Sequence, residues 1–145
     1  MPRLFTIGYE KLLPPELVNE LELARVKRLI DVRYRPQSRR PGMSKTRLGQ
    51  LLGDHGIAYE HRRTLGTPPD IRWLFKHKRE AEGREQFRAH VEETAAAELD
   101  ALAAELDQAP ATVLLCLEAD PAGCHRRVLA EQLLRRRPGL EVVDL

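Results

Sequence analysis

Short apolar runs alternate along the chain with longer stretches in which apolar residues recur every three or four positions. The short runs are rich in Val, Ile, Leu and Phe, and polar residues or turn formers bound them, which is typical of strands. The run over 112–117 is continuously β-branched or aliphatic, as expected of a strand buried on both faces. The predicted strands are Arg3–Gly8, Arg28–Val32, Ile57–Glu60, Thr112–Leu117 and Leu140–Val143.

Amphipathic spacing between these runs predicts the helices. Pro14 and Pro15 suit the first turn of a helix, because the N–H that proline lacks has no intrahelical partner there. Ser44 is a predicted N-cap, and Gly53 is a predicted helix end. The predicted helices begin at Pro14, span Lys45–Leu52, Ile71–Lys78 and Arg84–Gln108, and run from Cys124 to about Arg136.

The regular alternation of strands and helices predicts one α/β domain over residues 1–145. The expected architecture is a three-layer sandwich with a mostly parallel central sheet of about four to five strands, Rossmann-like. In open parallel sheets, ligands bind outside the carboxyl ends of the strands. Residues that follow the predicted strands are therefore the first candidates for a functional site.

Charge is unevenly distributed, although the net charge is only +2. Residues 1–79 contain 17 Lys and Arg against 8 Asp and Glu, whereas residues 80–145 contain 7 against 14. In a single domain this asymmetry predicts a basic face and an acidic face. A basic face favours an anionic partner, either a small molecule such as a nucleotide or a nucleic acid. The alternative is a solvated surface on which the basic and acidic residues balance one another within the molecule, without an anionic partner.

No apolar run is long enough to cross a bilayer and the N-terminus lacks a signal-peptide core, so a cytoplasmic protein without a membrane partner is expected. Cys116 and Cys124 are too few for a disulfide framework, and a bridge between them is not expected in the cytoplasm. Neither cysteine lies in a C-x-x-C zinc pattern, and the scattered histidines show no metal spacing. The sequence therefore predicts no metal site and no cofactor.

The densest candidate chemistry follows the fourth predicted strand. Glu118 leaves the strand end, and after a turn Cys124, His125 and Arg126 open the last predicted helix. A helix N-terminus attracts anions and lowers the pKa of a thiol, so Cys124 is a candidate nucleophile. The alternative is a small residue at a tight turn, and neither cysteine has the C-x5-R spacing of cysteine phosphatases. Cys116, inside the apolar strand, is expected in the core.

A second candidate stretch is the loop over residues 33–47, which has six basic residues and no acidic one. Arginine forks and serine hydroxyls suit phosphate or carboxylate groups, and Arg33, Ser38 and Arg39 supply them here. A mobile, solvated loop is the alternative interpretation of the same composition.

Other strand ends add acid–base candidates. Asp31 and Glu118 are carboxylates that suit general acid and base roles, or that suit binding of a metal or a ribose. The alternative is that each holds a neighbouring arginine in place, with Arg33 or Arg126 as the partner of Asp31. His125 suits anion binding or proton transfer. Gly8 and Tyr9 end the first strand, on the same predicted edge of the sheet.

Several short motifs occur in a specific order along the chain. They are T-I-G-Y at 6–9, L-I-D-V-R-x-x-P-x-S-R at 29–39, P-G-M-S-K at 41–45, G-I-x-Y at 56–59, L-G at 65–66 and L-L-C-L-E with C-H-R at 114–126. Together they resemble the prokaryotic family catalogued as domain of unknown function 488, over nearly the whole chain. The chain departs from this family at two positions. Met43 stands where members usually carry an aromatic residue, and Thr67 stands where a second glycine is common. The resemblance implies a fold and one shared pocket, but no activity.

Three functions are consistent with these features. The first is an enzyme acting on a phosphate-containing small molecule or nucleotide. The second is a nucleic-acid-binding module that uses the 33–47 loop with Arg62 and Arg63, and the third is a structural partner protein that uses the acidic long helix. No oligomeric state is indicated. For the first, the predicted catalytic residues are Asp31, Glu118, Cys124 and His125, and the predicted ligand-binding residues are Gly8, Tyr9, Arg33, Ser38, Arg39 and Arg126.

Overall fold

A computed structural model describes residues 2–145, with Ala122 described by its backbone alone. Within these residues, five strands form one sheet in the order β3-β2-β4-β1-β5. Every neighbouring pair is parallel. This confirms the predicted three-layer α/β sandwich. The strands are β1 (Arg3–Gly8), β2 (Arg28–Asp31), β3 (Ala58–His61), β4 (Thr112–Cys116) and β5 (Glu141–Asp144).

Helices cover both faces of the sheet, so each face has its own apolar core. Side chains alternate along a strand, and in β4 this sends Leu114 and Cys116 to one core and Val113 and Leu115 to the other. The continuous apolar run of β4 is thereby buried on both sides, as predicted. The helices are α1 (Pro14–Leu23), α2 (Lys45–Asp54), α3 (Pro69–Lys76), α4 (Glu80–Thr94), α5 (Ala96–Glu105) and α6 (Arg126–Arg136).

The single long helix predicted over Arg84–Gln108 is wrong, because the chain bends at Ala95 and forms α4 and α5 instead. The bend lets α4 pack on α3 while α5 packs on α6. Val91, Ala95 and Leu99 remain buried at four-residue spacing across it. The apolar pattern therefore continues through the bend and carries no signal of it.

Three predicted helix ends also differ. Gly53 lies inside α2, and Gly56, with φ of 72°, takes the left-handed conformation after that helix. Ser44 precedes α2, but its hydroxyl exchanges hydrogen bonds with the backbone of Ser38 instead of capping the helix. A 3-10 turn over 121–123 delays the start of α6 to Arg126. Cys124 therefore lies before the helix and not in its first turn.

Ion pairs connect the basic and acidic parts of the chain. Glu105 on α5 accepts hydrogen bonds from Arg28 and Arg62, and Arg3 pairs with Glu141. Part of the charge asymmetry is thus balanced within the molecule, as the alternative interpretation proposed. None of the helices described within residues 2–145 has the length and apolar character needed to span a membrane.

Candidate functional site

The carboxyl ends of β1, β2 and β4 meet at one pocket, which holds about 450 Å³ of free space including its open mouth. The strand ends form its floor, and the 33–47 loop and α3 form its walls. Its lining residues are Tyr9, Arg33, Tyr34, Arg35, Gln37, Thr67, Arg72, Phe75, Cys116, Leu117, Glu118, Cys124 and His125.

Arg126 is fully buried beneath this edge of the sheet and is fully engaged by internal partners. Its guanidinium donates to Thr6 Oγ1 at 3.3 Å, to Cys116 Sγ at 3.1 Å, to the Ala119 carbonyl at 3.0 Å and to the Glu118 carbonyl. Burial lowers the pKa of this guanidinium. The predicted ligand role of Arg126 is not supported by this placement, because its donors hold the chain that leaves β4.

Gly8 is part of the same arrangement. A Cβ on Gly8 would lie 1.6 Å from the Glu118 carbonyl oxygen and 2.7 Å from the Arg126 Nη1 atom. No side chain fits there, so the close approach of β1 to the loop after β4 requires glycine. Gly8 shapes the edge and does not line the pocket.

Asp31 and Arg33 form a buried bidentate ion pair, with N···O distances of 2.9 and 2.7 Å. Arg33 also donates to the Met43 carbonyl at 2.8 Å, and Tyr59 donates to Asp31 at 2.5 Å. Desolvation and the bond to Asp31 raise the pKa of the Tyr59 hydroxyl. Asp31 is the carboxylate that holds an arginine in place, which the sequence left as an alternative to acid–base chemistry.

The 33–47 loop is fixed by another arginine, Arg40. Its guanidinium donates to the Tyr9 carbonyl at 2.6 Å and to the Leu12 carbonyl at 2.5 Å. The backbone N–H of Ser38 donates a hydrogen bond to the Ser44 hydroxyl, and the side chain of Arg39 is exposed to solvent. Neither residue lines the pocket. The structure therefore does not bring these two predicted ligand residues into the site.

Cys116 and Cys124 form a disulfide, which corrects the expectation that they are unbridged. The turn between the two cysteines folds back onto the end of β4 and brings the sulfur atoms together. A disulfide sulfur has no thiolate, so Cys124 is not a nucleophile in this state. Both cysteines line the pocket, and both are almost completely buried.

His125 is buried, and its ring and that of Phe87 make a T-shaped contact with 5.2 Å between centroids. Its Nε2 lies 2.7 Å from the Val32 carbonyl oxygen and its Nδ1 lies 3.6 Å from Cys124 Sγ. A carbonyl only accepts, so Nε2 carries the hydrogen. Burial lowers the pKa of the imidazole to about 4, and His125 is neutral near pH 7.

Glu118 and Arg72 bring acidic and basic groups to the pocket. Burial raises the pKa of the Glu118 carboxyl, and the positive charge of Arg72 acts against that shift. Arg72 on α3 and Arg35 on the loop both line the pocket. Within the part of the chain that is described, neither arginine has a side-chain hydrogen bond or an ion pair.

Sequence reasoning missed Arg72 and Thr67, which line the pocket from outside the strand ends. Arg72 lies between apolar positions of α3, and nothing in the sequence shows that α3 faces this edge. The L-G motif at 65–66 is a weak indication that the chain packs closely against Tyr34. A Cβ on Gly66 would lie 2.5 Å from the Tyr34 backbone, so that glycine lets two loops meet at the pocket.

One family model matches the chain, over residues 14–133, and its description is Domain of unknown function DUF488. The chain belongs to the DUF488 family. No curated protein and no solved structure matches it. In this DUF488 protein, the motif residues Asp31, Arg33, Gly66 and Arg126 build the edge of the sheet, and His125 lines the pocket. The T-I-G-Y motif precedes the matched residues.

Proposed function

We propose that the pocket binds a small anionic ligand that carries a phosphate group, and that Arg35 and Arg72 are the residues that hold the anion. The observation behind this proposal is the contrast in arginine partners around the pocket. Arg33 and Arg126 are engaged inside the protein, whereas the two pocket arginines have unused donors. Guanidinium groups whose N–H donors make no internal hydrogen bond are suited to phosphate oxygens.

Polar and aromatic groups beside these arginines favour a nucleotide or another phosphorylated metabolite. Tyr34, Gln37 and Thr67 line the same pocket and offer hydroxyl and amide groups next to an aromatic ring. Such a mixture of an apolar wall and a few polar groups is common in small-molecule sites. A prokaryotic cytoplasm, which holds many phosphorylated metabolites, is the proposed location.

For an enzyme acting on such a ligand, Glu118 is the proposed proton donor. Its raised pKa keeps the carboxyl protonated to a higher pH than usual, which suits a general acid. The other predicted catalytic groups are less suited to this role. Asp31 is paired, Cys124 has no proton to donate while it is bonded to Cys116, and the Nε2 hydrogen of His125 is directed at a carbonyl.

The test is calorimetric titration of the full chain with inorganic phosphate, ribose 5-phosphate and AMP. One of these probes binds at a single site in the wild type, and Arg35→Gln with Arg72→Gln weakens its binding at least about tenfold, since each lost charged hydrogen bond is worth roughly 1.5–3 kcal/mol. Arg39→Gln with Arg47→Gln is the matched control, because it removes two exposed charges outside the pocket. Equal weakening by both pairs would contradict the proposed site.

The nucleic-acid alternative uses the same loop and predicts a different result. Two of the six basic residues of the 33–47 loop, Arg33 and Arg40, already have internal partners, which weakens this alternative. If it is correct, a single-stranded oligonucleotide binds with an affinity that falls steeply with salt. Its binding then depends on Arg39 and Arg47, and no small phosphate compound saturates the site.

A second measurement tests the role of Glu118. Sulfate, whose charge stays constant over the pH range in which a carboxyl group titrates, replaces phosphate as the probe. As the pH rises, Glu118 ionises and repels the anion, so sulfate affinity falls in the wild type. In Glu118→Gln the affinity stays flat over the same range. A parallel decline in both proteins excludes Glu118 as a neutral neighbour of the anion.

A further inference from the structure

Three potential metal ligands lie together at the floor of the pocket. The sulfur atoms of Cys116 and Cys124 and a ring nitrogen of His125 are all within 4.8 Å of one another. All three residues are buried, and all three line the pocket. We propose that the reduced protein binds one Zn²⁺ ion through these three residues, with a fourth coordination position open to the pocket.

The orientation of His125 supports this site. Its Nε2–H group donates to the Val32 carbonyl at 2.7 Å, which leaves the lone pair of Nδ1 facing Cys124 Sγ at 3.6 Å. Histidines that bind metals usually donate their other ring hydrogen to a carbonyl or a carboxylate, which fixes the tautomer and the ring. The hydrogen bond from His125 to Val32, the residue that follows β2, serves this purpose without any rearrangement.

The backbone around the two cysteines also suits an ion between them. Their Cα atoms are 7.4 Å apart, whereas most disulfides span roughly 4.4–6.8 Å. Two thiolates on one zinc ion each lie about 2.3 Å from the metal, so the sulfur atoms of a zinc site are farther apart than those of a disulfide. Once the sulfur–sulfur bond is broken, the sulfur atoms can separate by side-chain rotation.

Formation of the site begins with reduction. A dithiol reductant donates two electrons and two protons, breaks the Cys116–Cys124 bond and becomes a disulfide itself. Zn²⁺ then displaces one proton from each thiol and accepts the neutral imidazole as its third ligand. The redox state of the cysteines thereby determines whether the ion binds.

One positive charge beside the cluster suits a thiolate. Arg126 Nη1 lies 3.1 Å from Cys116 Sγ, so an N–H donor already points at one sulfur. The Glu118 carboxyl, which lines the same pocket, lies 3.7 Å from this sulfur. A site with two cysteines, one histidine and an open position resembles catalytic zinc sites more than closed structural ones. The open position faces the same space as Arg72.

The direct test is titration of the reduced, reductant-free full chain with Co²⁺ under anaerobic conditions, followed by displacement with Zn²⁺. One Co²⁺ per chain is expected, with a sulfur-to-cobalt charge-transfer band and the intense visible bands of tetrahedral coordination. Cys116→Ser, Cys124→Ser and His125→Gln are each expected to weaken Zn²⁺ binding by more than about 100-fold, since even removal of an outer partner costs 10–100-fold. His77→Gln is the control, because its ring lies on the exposed end of α3.

Oxidation gives a readout that does not depend on the variants folding. Treating the wild type with a disulfide-forming oxidant should abolish the cobalt spectrum, and a dithiol should restore it. An unchanged spectrum after oxidation, or wild-type affinity in His125→Gln, contradicts the three-residue site. No cobalt–sulfur band in the reduced wild type overturns the proposal entirely.

This site is separable from the proposed phosphate site. Arg35→Gln with Arg72→Gln should lose phosphate binding and keep Zn²⁺ affinity within about threefold. Metal binding is titrated without phosphate, and phosphate binding is titrated on the oxidised protein. Failure of one proposal therefore leaves a clear result for the other.

Discussion

Two pairs of arginines lie at the same edge of the sheet, yet their surroundings differ completely. Arg33 and Arg126 are buried, and their donors bond to a carboxylate, a hydroxyl, a sulfur and backbone carbonyls. Arg35 and Arg72 line the pocket with unused donors. The first pair builds the edge, and the second pair is available to a ligand. Arginines that look alike in a sequence therefore include some that are bound inside the protein and some whose donors stay open, and hydrogen-bond partners and burial distinguish the two kinds.

The largest expected effect is the loss of a buried arginine. Arg126→Met should lower the free energy of unfolding by about 3–5 kcal/mol, because the carbonyls of Glu118 and Ala119 lose their donors inside the protein. Denaturant unfolding measures this change. Arg127→Met is the matched control on the exposed side of α6, with an expected change below about 0.5 kcal/mol. Similar values for both variants contradict the structural role of Arg126.

A methyl group at Gly8, the last residue of β1, tests the same edge of the sheet from the strand next to β4. Gly8→Ala should lower stability by about 2–3 kcal/mol, because the Glu118 carbonyl must move away from its present position. The comparison is Gly53→Ala in α2, where a Cβ meets no atom within 4 Å. That substitution should raise stability by roughly 0.5–1 kcal/mol, and thermal unfolding separates the two signs.

The pH dependence of stability tests the burial of His125, which lies at the same edge of the sheet. Its folded pKa of about 4 lies below the ordinary 6.5, so the unfolded chain binds the proton first as the pH falls. Stability should be complete above pH 6.5 and should decrease by about 2 kcal/mol between pH 6.5 and 5. In His125→Gln, which retains a donor for Val32, this part of the decrease should vanish. His77→Gln should keep it.

The smallest effect on stability is expected at the mouth of the pocket. Arg35→Gln and Arg72→Gln should each change the free energy of unfolding by less than about 0.5 kcal/mol, because no internal bond is lost. The same variants should weaken phosphate binding most strongly. If Arg72→Gln unfolds the protein as severely as Arg126→Met does, the distinction between the two pairs is wrong.

Much of the pocket floor was predictable from the sequence, because the carboxyl ends of parallel strands lie at the same edge of a sheet. The strands, their parallel pairing and the position of Glu118 and His125 follow from apolar runs and turn residues. The pairing of Asp31 with Arg33 was one of the stated alternatives. It forms because positions i and i+2 of an extended segment face the same side.

Other features depend on tertiary packing and were not predictable. The bend at Ala95 preserves the apolar period, and the orientation of α3, which brings Arg72 to the pocket, is set by contacts with α4. The disulfide requires the turn over 121–123 to fold back onto β4, and cysteine spacing does not show this. Residue type alone does not tell whether an arginine donates to a carbonyl or to a ligand.

The strand order has a consequence for how the protein folds. β1 and β2 do not pair with each other, and both pair with β4, whose residues lie 108 positions beyond their partners in β1 and 84 positions beyond their partners in β2. A nascent chain that ends before Thr112 therefore cannot close its sheet, and β1 lacks both of its neighbours, since β5 comes later still. Such sequence-distant pairing gives a high contact order and slows folding. Synthesis of the central strand is thus the step at which the two halves of the sheet can first join.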